Sequence, residues 1–243
     1  MTIYDISEKA GVSIATVSRV LNGSKNVSDK TREHVLEIMD RYGYTPNAFA
    51  RGLGLNTMRT IGIMCADSSD PYLAKAIYFI EQKLRANNYD SLLCCTGYDP
   101  KAKAASMNLL ITKKVDGIIL AGSNFVHEKA CENQYIADAA AQVPVMLLNA
   151  DLDLPNVYSV VSDDYTSMYT ATLEMFQSGT EDILYFYNSN SFSGKRKLAG
   201  FLAAMEKMHF SAAEVMTRFY RGSHEDIHAM VACLKQFHET GHI

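Results

Sequence analysis

No apolar run in this 243-residue chain approaches the length of a membrane-spanning helix. The longest, such as Ile118–Ala121 and Val143–Leu148, are the length of buried strands. The N-terminus has no apolar signal core, because Met1-Thr2-Ile3-Tyr4-Asp5 meets a charge at once. These absences set the expectation of a cytoplasmic protein with no membrane partner. The five cysteines, at 65, 94, 95, 131 and 233, show no framework spacing and fit reduced thiols. Cys94-Cys95 falls in an apolar run, where cysteine reads as a small core hydrophobe. There is no metal-ligand spacing, no nucleophile elbow and no phosphate-cradling glycine loop after a strand. His127, His209, His224, His228, His238 and His242 fall mainly at helix edges or surfaces. No catalytic residue, metal or cofactor is therefore expected, and the chain is not read as an enzyme. Repeats and low-complexity stretches are also absent.

What is present is enough apolar material for a sizeable core, at 48% of residues. The net charge of −4 is unevenly spread. Residues 1–59 carry Lys9, Arg19, Lys25, Lys30, Arg32, Arg41, Arg51 and Arg59 against Asp5, Glu8, Asp29, Glu33, Glu37 and Asp40. The head is thus positive and the remainder negative, which suits a polyanion held at one end.

The head reads as short, well-punctuated helices. One runs from Ile3 to Ala10, and Gly11-Val12-Ser13 forms a turn. Ser13 caps a second helix to about Leu21, ended by Asn22-Gly23. Ser28 caps a third helix, whose Val35, Ile38, Met39 and Tyr42 recur at helical spacing. Thr45-Pro46 then opens a short segment, Asn47 to Leu53, that Gly52 and Gly54 make a poor autonomous helix. From residue 60, strands alternate with amphipathic helices. Strands are expected at Ile61–Ala66, Leu92–Thr96, Val115–Ala121 and Val145–Asn149, with helices at Pro71–Asn88, 99–113 and His127–Gln142. A second set follows: strands Val157–Val161, Ile183–Tyr187 and Val215–Tyr220, with helices Tyr165–Gln177, Lys195–Met208 and His224–His238. Such alternation implies parallel sheets covered on both faces. The polar, proline-ended break at Asp151–Pro155 is read as the crossing between two lobes.

Two helices joined by a tight glycine turn form a helix-turn-helix signature. Ala10, Val12, Val17, Val20 and Leu21 make its packed side, while Ile14, Ala15, Thr16, Ser18, Arg19 and Asn22 face outward. Small residues at the start of the second helix allow close approach to a major groove. At this point the chain resembles the LacI/GalR repressor family. The resemblance is carried by the run from Ala10 to Gly23, by Val27-Ser28, Thr31-Arg32 and Tyr42–Ala48, and by the hinge Ala50-Arg51-Gly52-Leu53. Further along it is carried by Ile61-Gly62-Ile63, Asp67, Pro71-Tyr72, Val115–Ile119, Val143-Pro144-Val145 and Leu198–Phe201. The head looks most like the catabolite-control branch.

The resemblance implies an all-α helix-turn-helix head plus hinge helix, followed by an α/β periplasmic-binding-protein-like core of two parallel-sheet lobes, the second incomplete. The expected boundaries are 1–45 for the head, 46–59 for the hinge and linker, 60–155 for the first lobe and 156–243 for a partial second lobe. It implies a homodimer on a nearly palindromic operator in double-stranded DNA. By matching position, Ile14, Ala15 and Arg19 would read base edges, and Ser13, Thr16, Ser18, Asn22, Tyr44 and Asn47 would mostly hold phosphates. In the hinge, which includes Ala50, Leu53 would wedge into the central base step. A small-molecule effector, a carbohydrate or other metabolite, would sit between the lobes at Asp70, Tyr72, Ser123, Asn149, Ser193 and Lys197. Asp163 is read as structural. The chain departs from the family at Lys197, commonly arginine, at Met168, often glycine, and at Gly179-Thr180, usually Gly-His. Lys195-Arg196-Lys197 fits either an anionic effector or an ordinary solvated helix start. The second lobe stops short of the family's remaining strands, so truncation is expected to weaken dimerisation and sensing. The rival readings are a solute-binding protein without DNA function and a truncated, non-inducible regulator.

Overall fold

The computed structural model describes residues 1–45, 57–180, 183–210, 215–220 and 227–239. The hinge positions Asn47, Ala50 and Leu53 lie outside those residues. The chain divides into two units: Met1–Thr60 with Lys114–Asp116, and Ile61–Lys113 with Gly117–Ile243.

The first unit holds α1 (Ile3–Ala10), α2 (Ile14–Leu21) and α3 (Asp29–Arg41). Each begins at a hydroxyl. Thr2, Ser13 and Ser28 accept from the N–H groups of Asp5, Thr16 and Thr31, supplying partners that helix starts otherwise lack. Gly11 sits at φ +64, and there the N–H groups of Gly11 and Val12 turn back to the carbonyls of Glu8 and Ser7. Ile6, Ala10, Val17, Val20, Val35, Ile38 and Met39 close into one core, edged by Ile3, Val12, Leu21, Val27 and Tyr44. Burying each valine contributes about 1.5–3 kcal/mol. Tyr42 does not join this core as its spacing suggested. It is the C-cap of α3, already past the regular helical turn, and its exposed ring lies 4.5 Å beneath the Lys9 ammonium.

The second unit opens with a sheet in the order β2-β1-β3-β4-β5. These strands are β1 (Thr60–Cys65), β2 (Asp90–Cys95), β3 (Gly117–Ala121), β4 (Val145–Leu148) and β5 (Val157–Val160). β1, β3, β4 and β5 run parallel, with Ile63 level with Ile119, Leu120 with Leu147, and Leu147 with Ser159. Ile63, Cys65 and Ala121 on one face pack against Leu73, Ile77, Ile80 and Leu84 of α4 (Pro71–Ala86). Gly62 lies so close to Leu110 of α5 (Pro100–Thr112) that a Cβ would meet its methyls at 2.7 Å.

The expected helix at His127–Gln142 is shorter. Asn133 exchanges two 2.8 Å bonds with the backbone of His127 and closes a turn there. The helix proper, α6, spans Gln134–Ala140. Val115 and Asp116 precede β3 instead of starting it, because Asp116 is engaged with residues 57–60.

The expected crossing at Asp151–Pro155 is corrected by the strand register. Val157–Val160 pairs with Val145–Leu148 in the first sheet, so the boundary at 155/156 falls inside that sheet and the chain leaves it only after β5. A polar break before a strand marks a turn but carries no information about which sheet the strand enters. Coverage is also less complete than a two-sided sheet implies, since Tyr158 and Val160 of β5 are exposed.

Beyond β5 come α7 (Asp164–Gln177), β6 (Leu184–Tyr187), α8 (Phe192–Lys207), β7 (Met216–Phe219) and α9 (Ile227–Glu239). β6 and β7 form a parallel pair. α8 starts earlier than its expected Lys195 because the Ser191 hydroxyl caps it at Gly194 N–H. α7 and α8 meet backbone to side at Gly200, where a Cβ would lie 2.2 Å from the Tyr165 carbonyl oxygen. Phe201 stacks on Tyr185 at 4.9 Å and joins that helix pair to β6.

Candidate functional site

The first candidate surface is α2. Its amphipathic spacing turns Val17 and Val20 into the head core and leaves Ile14, Ala15, Arg19 and Asn22 exposed. Thr16 and Ser18 are half-buried. Ser13 and Thr16 are committed to each other, their hydroxyl oxygens 2.9 Å apart while Ser13 also caps the helix. Among the described residues the Arg19 guanidinium makes no hydrogen bond or ion pair. Tyr44 packs against the head core with part of its surface still open. Arg32 donates to the Ser24 carbonyl at 2.5 Å and so ties α3 to the loop that ends α2. The Gly23 and Ser24 N–H groups close the same end onto Val20 and Arg19. A short helix is marginal alone. Here its N-terminal cap, apolar face and C-terminal loop are each held by a separate contact.

The second candidate surface lies at the carboxyl ends of the strands. Asp70 caps α4, its carboxylate accepting from the N–H groups of Tyr72 and Leu73 at 2.9 Å each. The Tyr72 hydroxyl accepts from the Asn149 amide at 3.0 Å, and the Asn149 carbonyl oxygen accepts from Ser162 at 3.3 Å. Asn149 reaches this position because it leaves β4 at φ +61. Asp70, Tyr72 and Asn149 are thus brought together. Ser123 belongs to a different contact: its hydroxyl donates to Ser191 Oγ at 2.8 Å, and its carbonyl accepts from Phe192 N–H at 3.2 Å. Ser193 is buried on α8. Lys197 lies 3.7 Å from the Asp164 carboxylate, which is largely buried. Lys195 pairs with Glu128, and Arg196 lies 3.7 Å from Asp163. Asp163 caps α7. The Thr166 hydroxyl and N–H, with a smaller contribution from Arg196, hold its carboxyl below the usual carboxylate range.

Three participants escaped the sequence reading. Asp164 and Ser191 are ordinary helix-start residues until the fold sets them beside Lys197 and Ser123. Asp116 accepts from Thr57 Oγ1, Met58 N–H and Thr60 N–H at 2.9–3.0 Å, which fixes the segment leading into β1. A carboxylate directly before a buried strand was the available signal. The cysteine reading needs correction as well: Cys95 is exposed, because β2 is the edge strand, and it is not a core residue.

A capped three-helix head with an exposed second helix, ahead of a parallel α/β fold, defines a helix-turn-helix protein with a periplasmic-binding-protein-like core. Residues 2–47 match the bacterial regulatory proteins of the lacI family. Residues 58–238 match the periplasmic binding proteins and sugar binding domain of the LacI family. The chain therefore belongs to the LacI family. It is 55% identical over 205 residues to an HTH-type transcriptional regulator of Lachnoclostridium phytofermentans, covering 84% of this chain and 62% of the relative. It is 35% identical over 222 residues to the HTH-type transcriptional regulator DegA of Bacillus subtilis, covering 90% of this chain and 65% of that protein. The chain thus spans less than two thirds of the length of these relatives. The lac repressor dimer bound to operator and the anti-inducer ONPF shares the fold, with a TM-score of 0.81 and 21% identity over 100% of this chain and 71% of that one. Among the described residues no helix is long and apolar enough to cross a membrane.

Proposed function

We propose that this chain is a cytoplasmic, sequence-specific DNA-binding transcription regulator of the repressor kind. It acts as a homodimer on a palindromic operator and responds to a carbohydrate or other small metabolite. It carries no catalytic role. The observation that supports this best is the exposed row Ile14, Ala15 and Arg19 on a helix whose opposite face is locked into the head core. Small side chains at the N-terminal end admit the helix to the major groove, and an uncommitted guanidinium can take a guanine edge bidentately. Ser13, Thr16, Ser18, Asn22 and Tyr44 would fix register on phosphates. Asn47, Ala50 and Leu53 enter this reading through the family resemblance alone.

For the effector, the Tyr72–Asn149–Ser162 chain and the Asp70 cap offer hydroxyl- and amide-type partners at the strand ends. Such groups suit a polyhydroxylated ligand. Lys197 would then be balanced by Asp164 and would not serve as a free anion site.

The test is selection of bound sequences from random duplex DNA by the purified chain, repeated with Arg19→Ala. The expected outcome is a palindromic consensus whose half-site preference at one base pair relaxes in the variant by about 1–3 kcal/mol. Salt-sensitive binding without any consensus, by a chain that is otherwise folded, would refute sequence-specific regulation by this polypeptide.

A further inference from the structure

Cys65 ends β1 and Cys95 ends β2, neighbouring strands of the first sheet. Their sulfur atoms lie 3.8 Å apart. The two strand ends are held together by Thr96 N–H donating to the Cys65 carbonyl at 2.8 Å and Gly97 N–H donating to the Ala66 carbonyl at 2.9 Å. Cys65 is fully buried, whereas Cys95 is exposed on the edge strand. We propose that Cys65 and Cys95 are a modification site, a thiol pair that peroxide converts reversibly to a disulfide. This inference is independent of the DNA-binding function.

The spacing carries the argument. Neighbouring strands run about 4.8 Å apart. Disulfides span Cα separations of about 4.4–6.8 Å with an S–S bond of about 2.05 Å. The sulfurs therefore need to close by only about 1.8 Å, within reach of a rotation of the Cys95 side chain. The division of exposure assigns the roles. Cys95 meets the oxidant: its thiolate attacks one peroxide oxygen, the O–O bond breaks, and a sulfenic acid forms as water leaves. The Cys65 sulfur then attacks the Cys95 sulfur, the S–S bond forms, and the S–O bond breaks. The departing hydroxide takes the Cys65 proton as water. Two thiols lose two electrons in all, and one peroxide becomes two waters. Cys65 is protected from direct attack. Burial, and after it the contact with the Cys95 thiol, hold the Cys65 thiol well above its ordinary range. Both residues stand where the chain turns into the loops before Asp70 and after Thr96, so the bond would tie the two strand exits covalently.

The experiment treats the reduced full chain with hydrogen peroxide, alkylates it after denaturation and maps the peptides by mass. The expected product joins the peptides bearing Cys65 and Cys95 with the loss of two hydrogens, and dithiothreitol restores both thiols. Cys94→Ser, which removes the adjacent thiol, should leave the cross-link intact. Cys95→Ser, at an exposed position, should abolish it and leave Cys65 open to alkylation. The proposal is overturned if Cys95 proceeds to sulfinic acid while Cys65 stays alkylatable, or if the cross-link to Cys65 survives in Cys95→Ser.

Discussion

Replacing Asp116 by alanine should release residues 57–60 without unfolding the sheet behind them. The carboxylate accepts Met58 N–H on one oxygen at 3.0 Å, and Thr57 Oγ1 and Thr60 N–H on the other at 2.9 and 3.0 Å. Each hydrogen bond to a charged group contributes about 1.5–3 kcal/mol, so the upper bound for three is about 5–9 kcal/mol. Asp116 is half-buried, and water can reach part of what it vacates. A local cost of about 2–3 kcal/mol is expected, within the usual range for donors left without their partner. Amide hydrogen exchange reads this directly. A loss of about 2 kcal/mol speeds exchange at Met58 and Thr60 roughly thirtyfold. The amides of Ile63 and Met64, inside β1, should keep their protection. Asp116→Asn retains one acceptor oxygen and should fall between parent and alanine. Unchanged exchange at Met58 and Thr60 in Asp116→Ala would refute the clamp. An equal loss at Ile63 would mean that Asp116 supports the whole sheet and not this segment.

Gly200→Ala should lower the unfolding midpoint, since its Cβ would enter at 2.2 Å from the Tyr165 carbonyl. The overpacking costs about 1–3 kcal/mol and outweighs the ~1 kcal/mol gain in helix propensity; a raised midpoint in urea, followed by tyrosine fluorescence, would contradict it. Ser13→Ala removes the α2 cap and should destabilise the head by about 1 kcal/mol, measured as a lowered thermal midpoint. Asp163 has its carboxyl held below the ordinary range, so its contribution is complete above the usual carboxylate pKa and is lost as pH falls through the folded value. Asp163→Asn should therefore flatten the acid limb of stability against pH and leave the neutral region's shape unchanged. Lys103, only 2% exposed, donates to the Asn124 carbonyl at 2.5 Å, and burial lowers its pKa. Folding disfavours its charged form, so stability should rise with pH between the lowered value and that of an ordinary lysine. Lys103→Met should erase that alkaline rise, which a urea midpoint series across that range would show.

Much of the head was readable because its determinants are local. A hydroxyl three residues before the N–H it satisfies, a glycine at positive φ, and apolar residues at helical spacing all act within one or two turns of chain. Ser13, Ser28, Gly11 and the valines of α2 are such cases, whereas the Thr2 cap was seen only in the structure. Alternation of short strands with capped helices likewise announced the parallel α/β class, which β1, β3, β4 and β5 show. Tertiary structure alone decided which sheet Val157–Val160 enters, because hydrogen-bond register joins residues far apart in sequence and leaves no periodic trace. The same holds for Asp116 with residues 57–60, Ser123 with Ser191, Lys197 with Asp164, and Cys65 with Cys95. In each pair one side chain looks ordinary in sequence and gains a role only when packing brings its partner within bonding distance. Local chemistry therefore determined the elements and their faces. The long-range contacts at the strand ends and between the helices of the α/β unit depended on how the chain packs.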